Sequence, residues 1–329
     1  MLVNQYISSS IIIKEFTLKN KFVFNNATAH YTFYGEKNNG KKIALFFHGF
    51  SGSSELHVWW HKFPLQEVLK NYNIICFNSL GSCHGSLGPE TISPNTGLPY
   101  AKDFPEICIE DTVNFIVLAL QEMNIQKIDL VFGCSLGGMQ AFDMYMRFPL
   151  IANKFISVCG SPLPLMTKLT NAAQSNILDT GIKNNLPTNI LKSYMGLARF
   201  FFRLTCTTEK ALEILDKKEN VEEYFLTDSF NYESSFSPYS YNLYLKMLRN
   251  YQIDIFEQLI PDNLKKIILL VSIIDDCFTP PEDIDKIFNQ LTKKRHKVKN
   301  MQFKTNYGHE SWIVDGKRFY EFIKKELIA

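Results

Sequence analysis

Short runs of apolar residues, each bounded by turn-forming residues, alternate along this chain with longer stretches whose apolar positions recur at helical spacing. That alternation predicts βαβ units around a mainly parallel sheet, because strands covered on both faces read as continuous apolar runs. The expected buried strands are Lys42–Phe47, Asn73–Phe77, Lys127–Phe132, Lys154–Val158 and Lys266–Ile274. Val298–Phe303 alternates apolar and polar residues and belongs at a sheet edge, while Ile11–Leu18 and Lys21–Tyr34 read as a hairpin-like pair. Helical spacing marks Ile107–Met123, Leu136–Arg147 (stopped by Pro149) and Trp312–Leu327.

From Ser161 to Leu248 the alternation breaks. Helical patterns follow one another at Thr167–Asp179, Tyr194–Cys206, Glu209–Asp216, Val221–Thr227 and Tyr239–Arg249, with no buried strand among them. We therefore expect residues 161–248 to form a helical cap inserted into an α/β core made of residues 1–160 and 249–329.

Composition narrows the class. The chain has 329 residues, 46% of them hydrophobic, which is ample for a buried core. Its 35 basic and 33 acidic side chains leave +2, no electrostatic footprint for nucleic acid or an anionic membrane. Seven cysteines without a C-x-x-C pair argue against a disulfide scaffold and for a reducing compartment. The first ten residues lack the basic and apolar regions of a signal peptide, and no apolar run is long enough to span a bilayer, so the cytoplasm is the expected location. One basic cluster, Lys293-Lys294-Arg295-His296-Lys297, reads as a solvated turn, with the phosphates of a nucleotide-like substrate as the alternative partner.

The chemistry centres on Gly133-Cys134-Ser135-Leu136-Gly137, which lies between a predicted strand and a predicted helix. In that context G-x-S-x-G is a nucleophile elbow: the glycines permit a tight turn, and the serine hydroxyl sits at a helix N-terminus. Serine needs a base and an orienting acid, which in this architecture follow the nucleophile in the order acid, then histidine. Asp275-Asp276 end a late strand, and Gly308-His309-Glu310 follow the final one. Asp276 is preferred as the acid because its spacing to Pro280 puts it on the loop; Asp275 is the alternative. Oxyanion donors are expected from the backbone N–H of Leu136 and of Phe50, the latter beyond the His48-Gly49 turn. The order predicts an α/β-hydrolase fold with a Ser135–His309–Asp276 triad and needs no cofactor or metal. His57 and His61 have helical spacing but no third ligand, so packing is their expected role.

The flanking residues add a resemblance. Asn78 to Pro89 (Asn-Ser-Leu-Gly-Ser-Cys-His-Gly-Ser-Leu-Gly-Pro), Ser93 to Tyr100, Phe104-Pro105-Glu106-Ile107 with Asp111, and Gly137-Gly138-Met139-Gln140 after the serine are similar to the homoserine O-acetyltransferase family. In the cap, Gly196-Leu197-Ala198-Arg199 and Asn220 to Tyr224 also resemble its members. The resemblance, which runs from Lys42 to Trp312, implies ping-pong transfer of an acyl group from acetyl-CoA, as co-substrate, through Ser135 to the hydroxyl of a small amino acid or alcohol. It implies a homodimer through the cap, and Arg199, Tyr241 and Glu310 near the acceptor. The chain departs from the family at Ser235-Phe236-Ser237, where members carry Arg-Phe-Asp, and at Glu310, where they carry aspartate. With a guanidinium lost, the acceptor need not be homoserine, and a serine hydrolase with the same triad is the second reading.

Overall fold

The computed structural model describes residues 6–36, 39–217, 220–231, 235–253 and 266–328; the first five residues of the stretch read for a signal peptide lie outside these. Eight strands, β1 (Tyr6–Thr17), β2 (Val23–Tyr34), β3 (Lys42–Phe47), β4 (Tyr72–Phe77), β5 (Ile128–Cys134), β6 (Ala152–Val158), β7 (Ile267–Ile273) and β8 (Lys297–Phe303), form one sheet in the order β1-β2-β4-β3-β5-β6-β7-β8. β1 and β2 form an antiparallel pair, β2 joins β4 antiparallel, and β4 through β8 are parallel.

Helices cover both faces. In chain order they are α1 (Leu56–Trp59), α2 (Leu65–Leu69), α3 (Ile109–Glu122), α4 (Leu136–Arg147), α5 (Leu165–Lys183), α6 (Thr188–Cys206), α7 (Glu209–Asp216), α8 (Val221–Asn231), α9 (Pro238–Asn250), α10 (Pro281–Lys293), α11 (Ser311–Val314) and α12 (Gly316–Ile328). Along β3 the side chains of Leu45 and Phe47 enter one apolar cluster with α3 and α4, while Ala44 and Phe46 enter another with α2 and α12. The same alternation divides Ile75 from Ile74 and Cys76 on β4, and Val131 from Leu130 and Phe132 on β5. Burial on both faces is why these strands are continuous apolar runs. At the β8 edge, by contrast, Lys297 and Lys299 alternate with half-buried residues, the pattern of a strand that must discourage further pairing.

Of the expected boundaries, one shifts for a visible reason. The single helix expected over Trp312–Leu327 is two helices, broken at Asp315. Gly316 opens the second against the backbone of Lys62 and Phe63, where any side chain would overlap (2.9 Å). The basic run at 293–297 is the turn from α10 into β8, at the N-terminal end of that parallel strand. Ser135 follows the C-terminal end of β5, so the cluster lies at the other end of the sheet, and its His296 is bonded to the Tyr145 hydroxyl (2.6 Å).

The five helices α5–α9 lie between β6 and β7 in sequence. α6 reaches the C-terminal end of the sheet, where Phe202 stacks on Phe50 (centroids 5.2 Å apart), and Tyr241 of α9 meets the same ring edge-on (4.8 Å).

Candidate active site

The turn after β5 is built by exclusion. A Cβ on Gly133 would lie 2.1 Å from the Gly137 carbonyl oxygen, and one on Gly137 would lie 2.4 Å from that of Phe47. Both positions must be glycine for β5, α4 and β3 to approach this closely. Ser135 carries φ 57° and ψ −121°, a conformation that L-residues rarely adopt, and its backbone is held by an N–H···O bond to Val158 (2.9 Å). It occupies the N-cap position of α4 without a side-chain capping bond, and its hydroxyl lies 2.7 Å from His309 Nε2.

His309 arrives on the loop after β8. Its Nδ1 lies 2.6 Å from Asp276 Oδ2, and Phe278 packs against its ring, tilted by 45°, at 4.7 Å between centroids. Asp276, on the loop after β7, is the carboxylate that meets the imidazole; Asp275 turns away and accepts the Gly308 N–H (3.4 Å). Asp276 Oδ1 accepts the backbone N–H groups of Phe278 (2.8 Å) and Thr279 (2.9 Å), and Oδ2 accepts the Thr279 hydroxyl (2.7 Å) as well as His309. Burial alone would raise the Asp276 carboxyl, but the neighbouring His309 and these donors outweigh it and hold it below its ordinary value. All three side chains are buried. Cys159 also offers its sulfur within 4.8 Å of Asp276 and His309, but those two are engaged with each other, and burial pushes the thiol well above its ordinary value.

The loop after β3 is pinned from below by His48. Its Nδ1–H donates to the Gly49 carbonyl (2.8 Å), and its Nε2 accepts the Ser79 N–H (3.1 Å). Burial pushes this histidine down to about 4, so it is neutral at neutral pH and both bonds are available. Ser79 Oγ in turn accepts from Gln140 Nε2 (3.1 Å), which also donates to Thr112 (2.9 Å). The loop carrying Phe50, the helix capped by Ser135, and α3 are thus tied by one buried polar chain.

A cavity of about 500 Å³ opens over Ser135 and His309. Its wall includes Phe50, Arg199, Phe202, Arg203, Glu310 and Trp312. Arg199 is buried, its guanidinium 5.3 Å from the Phe202 ring. Arg203, one turn further along α6, pairs with Glu310 and with Asp228 (3.3 Å). Burial alone would raise Glu310; Arg203, aided by Arg199 and His309, outweighs burial and keeps the carboxyl below its ordinary value. Tyr241 is fully buried behind Phe50 and is not among the cavity's lining residues; its hydroxyl lies 3.4 Å from Gln174. Ser235 lies on the wall, and Ser237 faces away from it, bonded to Glu90. His57 is bonded to Tyr34 (3.1 Å), and α1 ends at Trp59, so His61 is not on one helix face with it.

Sequence reasoning missed Arg203, His48, Ser79 and Thr279. Arg203 had a signal, its i+4 spacing from Arg199 on an amphipathic helix; the other three act through partners distant in sequence or through local turn geometry.

Asp276 and Glu310 are both depressed, so their stabilisation is complete above the ordinary carboxylate value near 4 and is lost as pH falls through their lower folded values. The unfolding temperature should therefore drop between about pH 5 and pH 2. Glu310→Gln should flatten that limb; an unchanged slope would contradict the assignment.

Residues 44–300 match the family described as the alpha/beta hydrolase fold. The chain belongs to that family. Among curated relatives, the homoserine O-acetyltransferase of Methanococcus vannielii is 28% identical over 362 residues, covering 95% of this chain and 72% of the relative. Among solved structures, esterase E22 superposes with a TM-score of 0.86 at 18% identity, covering 98% of this chain and 100% of that one. A homoserine O-acetyltransferase from Bacillus anthracis gives 0.85 at 20% identity, covering 98% and 96%. Both acyl-transfer and ester-hydrolysing proteins therefore share this fold with the chain.

Proposed function

We propose that this protein is an O-acyltransferase that carries an acyl group from acetyl-CoA, through an acyl-Ser135, to the hydroxyl of a small amino acid or related alcohol. The observation that carries the reading is the relay from Ser135 Oγ to His309 Nε2 (2.7 Å) and from His309 Nδ1 to Asp276 (2.6 Å) beneath a cavity lined by paired charges. His309 takes the Ser135 proton as Oγ attacks the thioester carbonyl, and Asp276 fixes the tautomer that leaves Nε2 free to accept it. The N–H groups of Phe50 and Leu136 stabilise the oxyanion. Collapse breaks the C–S bond, and His309 returns the proton to the departing thiol. In the second half the acceptor hydroxyl gives its proton to His309 as its oxygen attacks the acyl-serine; collapse breaks the acyl C–Oγ bond, and His309 returns the proton to Ser135 Oγ.

An amino-acid acceptor suits the wall above the serine. Arg199 offers a guanidinium to a carboxylate, and Glu310 a carboxylate to an ammonium, with Arg203 holding Glu310 ionised. Tyr241 supports Phe50 from behind. The segment 161–248 serves as a cap, and by covering the site it favours an alcohol over water. The exposed Leu197, Phe201 and Leu204, at i, i+4 and i+7 on α6, support a homodimer formed through that cap. Hydrolysis is the second reading; Ser235, on the wall where family members carry arginine, favours it by leaving one acceptor clamp fewer.

Thiol release from acetyl-CoA, followed with and without homoserine, serine and other small alcohols, separates the two. Beyond a first equivalent per site, sustained release that requires an alcohol is expected; an equal steady rate in buffer alone would make the enzyme a hydrolase. His48→Ala should lower kcat about tenfold or more by loosening the Phe50 donor, with KM little changed. It should also lower stability by about 1–3 kcal/mol through the orphaned Ser79 N–H. A loss of stability with kcat unchanged would remove His48 from the oxyanion argument.

A further inference from the structure

The cavity over Ser135 does not end at Trp59. His61 and Lys62 line it on one side and line a second, outer cavity of about 680 Å³ on the other. The outer cavity lies between the segment from His57 to Glu67 and the first turns of α12. Its lining is aromatic as well as charged: Trp60 and Phe63 stack at 4.0 Å, and Tyr320 meets Phe63 edge-on.

The charges are unbalanced. Of the two carboxylates present, Glu321 is held by Lys324 (2.5 Å) and Glu67 by Lys70 (2.8 Å). Lys62 and Lys317 are exposed and form no ion pair among the described residues. Unpaired cations in a cavity that shares His61 and Lys62 with the one over the nucleophile suit a ligand whose reactive end is buried and whose far end is anionic.

Resting on the acyl-transfer reading above, we propose that the outer cavity binds the nucleoside-phosphate end of the thioester donor. Lys62 and Lys317 meet its phosphates, and the thioester arm passes His61 and Trp59 to reach Ser135. The basic run at 293–297 cannot fill this role, because it lies at the other end of the sheet. No bond is made or broken in the outer cavity; its contribution is affinity for the donor.

The test compares kcat/KM for acetyl-CoA with kcat/KM for S-acetyl-N-acetylcysteamine, which carries the same thioester without phosphates. The wild type should prefer acetyl-CoA, and in Lys62→Glu/Lys317→Glu that preference should fall roughly tenfold or more. Most of the change should lie in KM for acetyl-CoA. The wild-type preference should also shrink as salt is raised, and Lys62→Arg/Lys317→Arg should retain it. Taking the ratio of two donors cancels any general loss of activity. An unchanged ratio in the charge-reversed variant, with both thioesters still turned over, would overturn the outer site alone. Failure of the wild type to release thiol from either thioester would overturn the transfer reading and this inference with it.

Discussion

Ser135→Ala is expected to abolish thiol release from acetyl-CoA, by roughly 10⁴- to 10⁶-fold in kcat, while the protein stays folded. The factor is what removal of a triad nucleophile costs when the oxyanion donors remain. The hydroxyl makes its side-chain bond to His309 and caps nothing in α4, so its loss removes chemistry and little structure. Stability gives a second, independent reading. With φ 57° and ψ −121°, Ser135 stores backbone strain that alanine keeps and glycine relieves. Ser135→Gly should therefore be inactive and more stable than Ser135→Ala, by about 1 kcal/mol. Circular dichroism melts with a thiol-release assay on the same preparations check both statements. Residual activity within tenfold of wild type in either variant would exclude Ser135 as the nucleophile.

The second large effect distinguishes two adjacent carboxylates. Asp276→Asn should cost roughly 10⁴-fold in kcat, because an amide donates where a carboxylate accepts and so favours the wrong tautomer of His309. The four donors around Asp276 fix the position of that amide, which makes the tautomer the main casualty. Asp275→Asn should cost less than tenfold, since Asp275 holds only the Gly308 N–H at 3.4 Å. Its carboxyl is raised by burial, so neutralising it removes an unfavourable charge and should not lower stability. Single-turnover rates with acetyl-CoA measure the comparison directly. The reverse ranking would transfer the acid's role to Asp275.

How far such a site can be seen in a sequence depends on the range of the interactions that define it. β3 and α4 begin and end where their apolar runs do, Lys42–Phe47 and Leu136–Arg147, because burial on both faces and a following proline are local signals. Ser135, Asp276 and His309 were legible through chain order, since the loops after the parallel strands share one end of the sheet. Tyr241 reads as an acceptor neighbour only through the family resemblance; its ring meets Phe50 edge-on and its hydroxyl interacts with Arg199 of the cavity wall, contacts that no local pattern announces. The break at Asp315 was invisible because it is set by Lys62 and Phe63, far away in sequence. His48 read as part of a turn, and only its bonds to Gly49 and Ser79 reveal a pin under the loop. Lys62 and Lys317 are an exposed pair of the most ordinary kind until the sheet brings α12 beside the 57–67 segment.

The central claim is that an acyl group rests on Ser135 between two substrates. Mixing the wild-type protein with acetyl-CoA, quenching within one turnover and mapping peptides by mass should find one acetyl group, on Ser135. Adding a hydroxy amino acid before the quench should clear it and yield the O-acetylated acceptor in equal amount. Acetylation at another residue, or an acceptor acetylated while Ser135 never carries the group, would contradict the account.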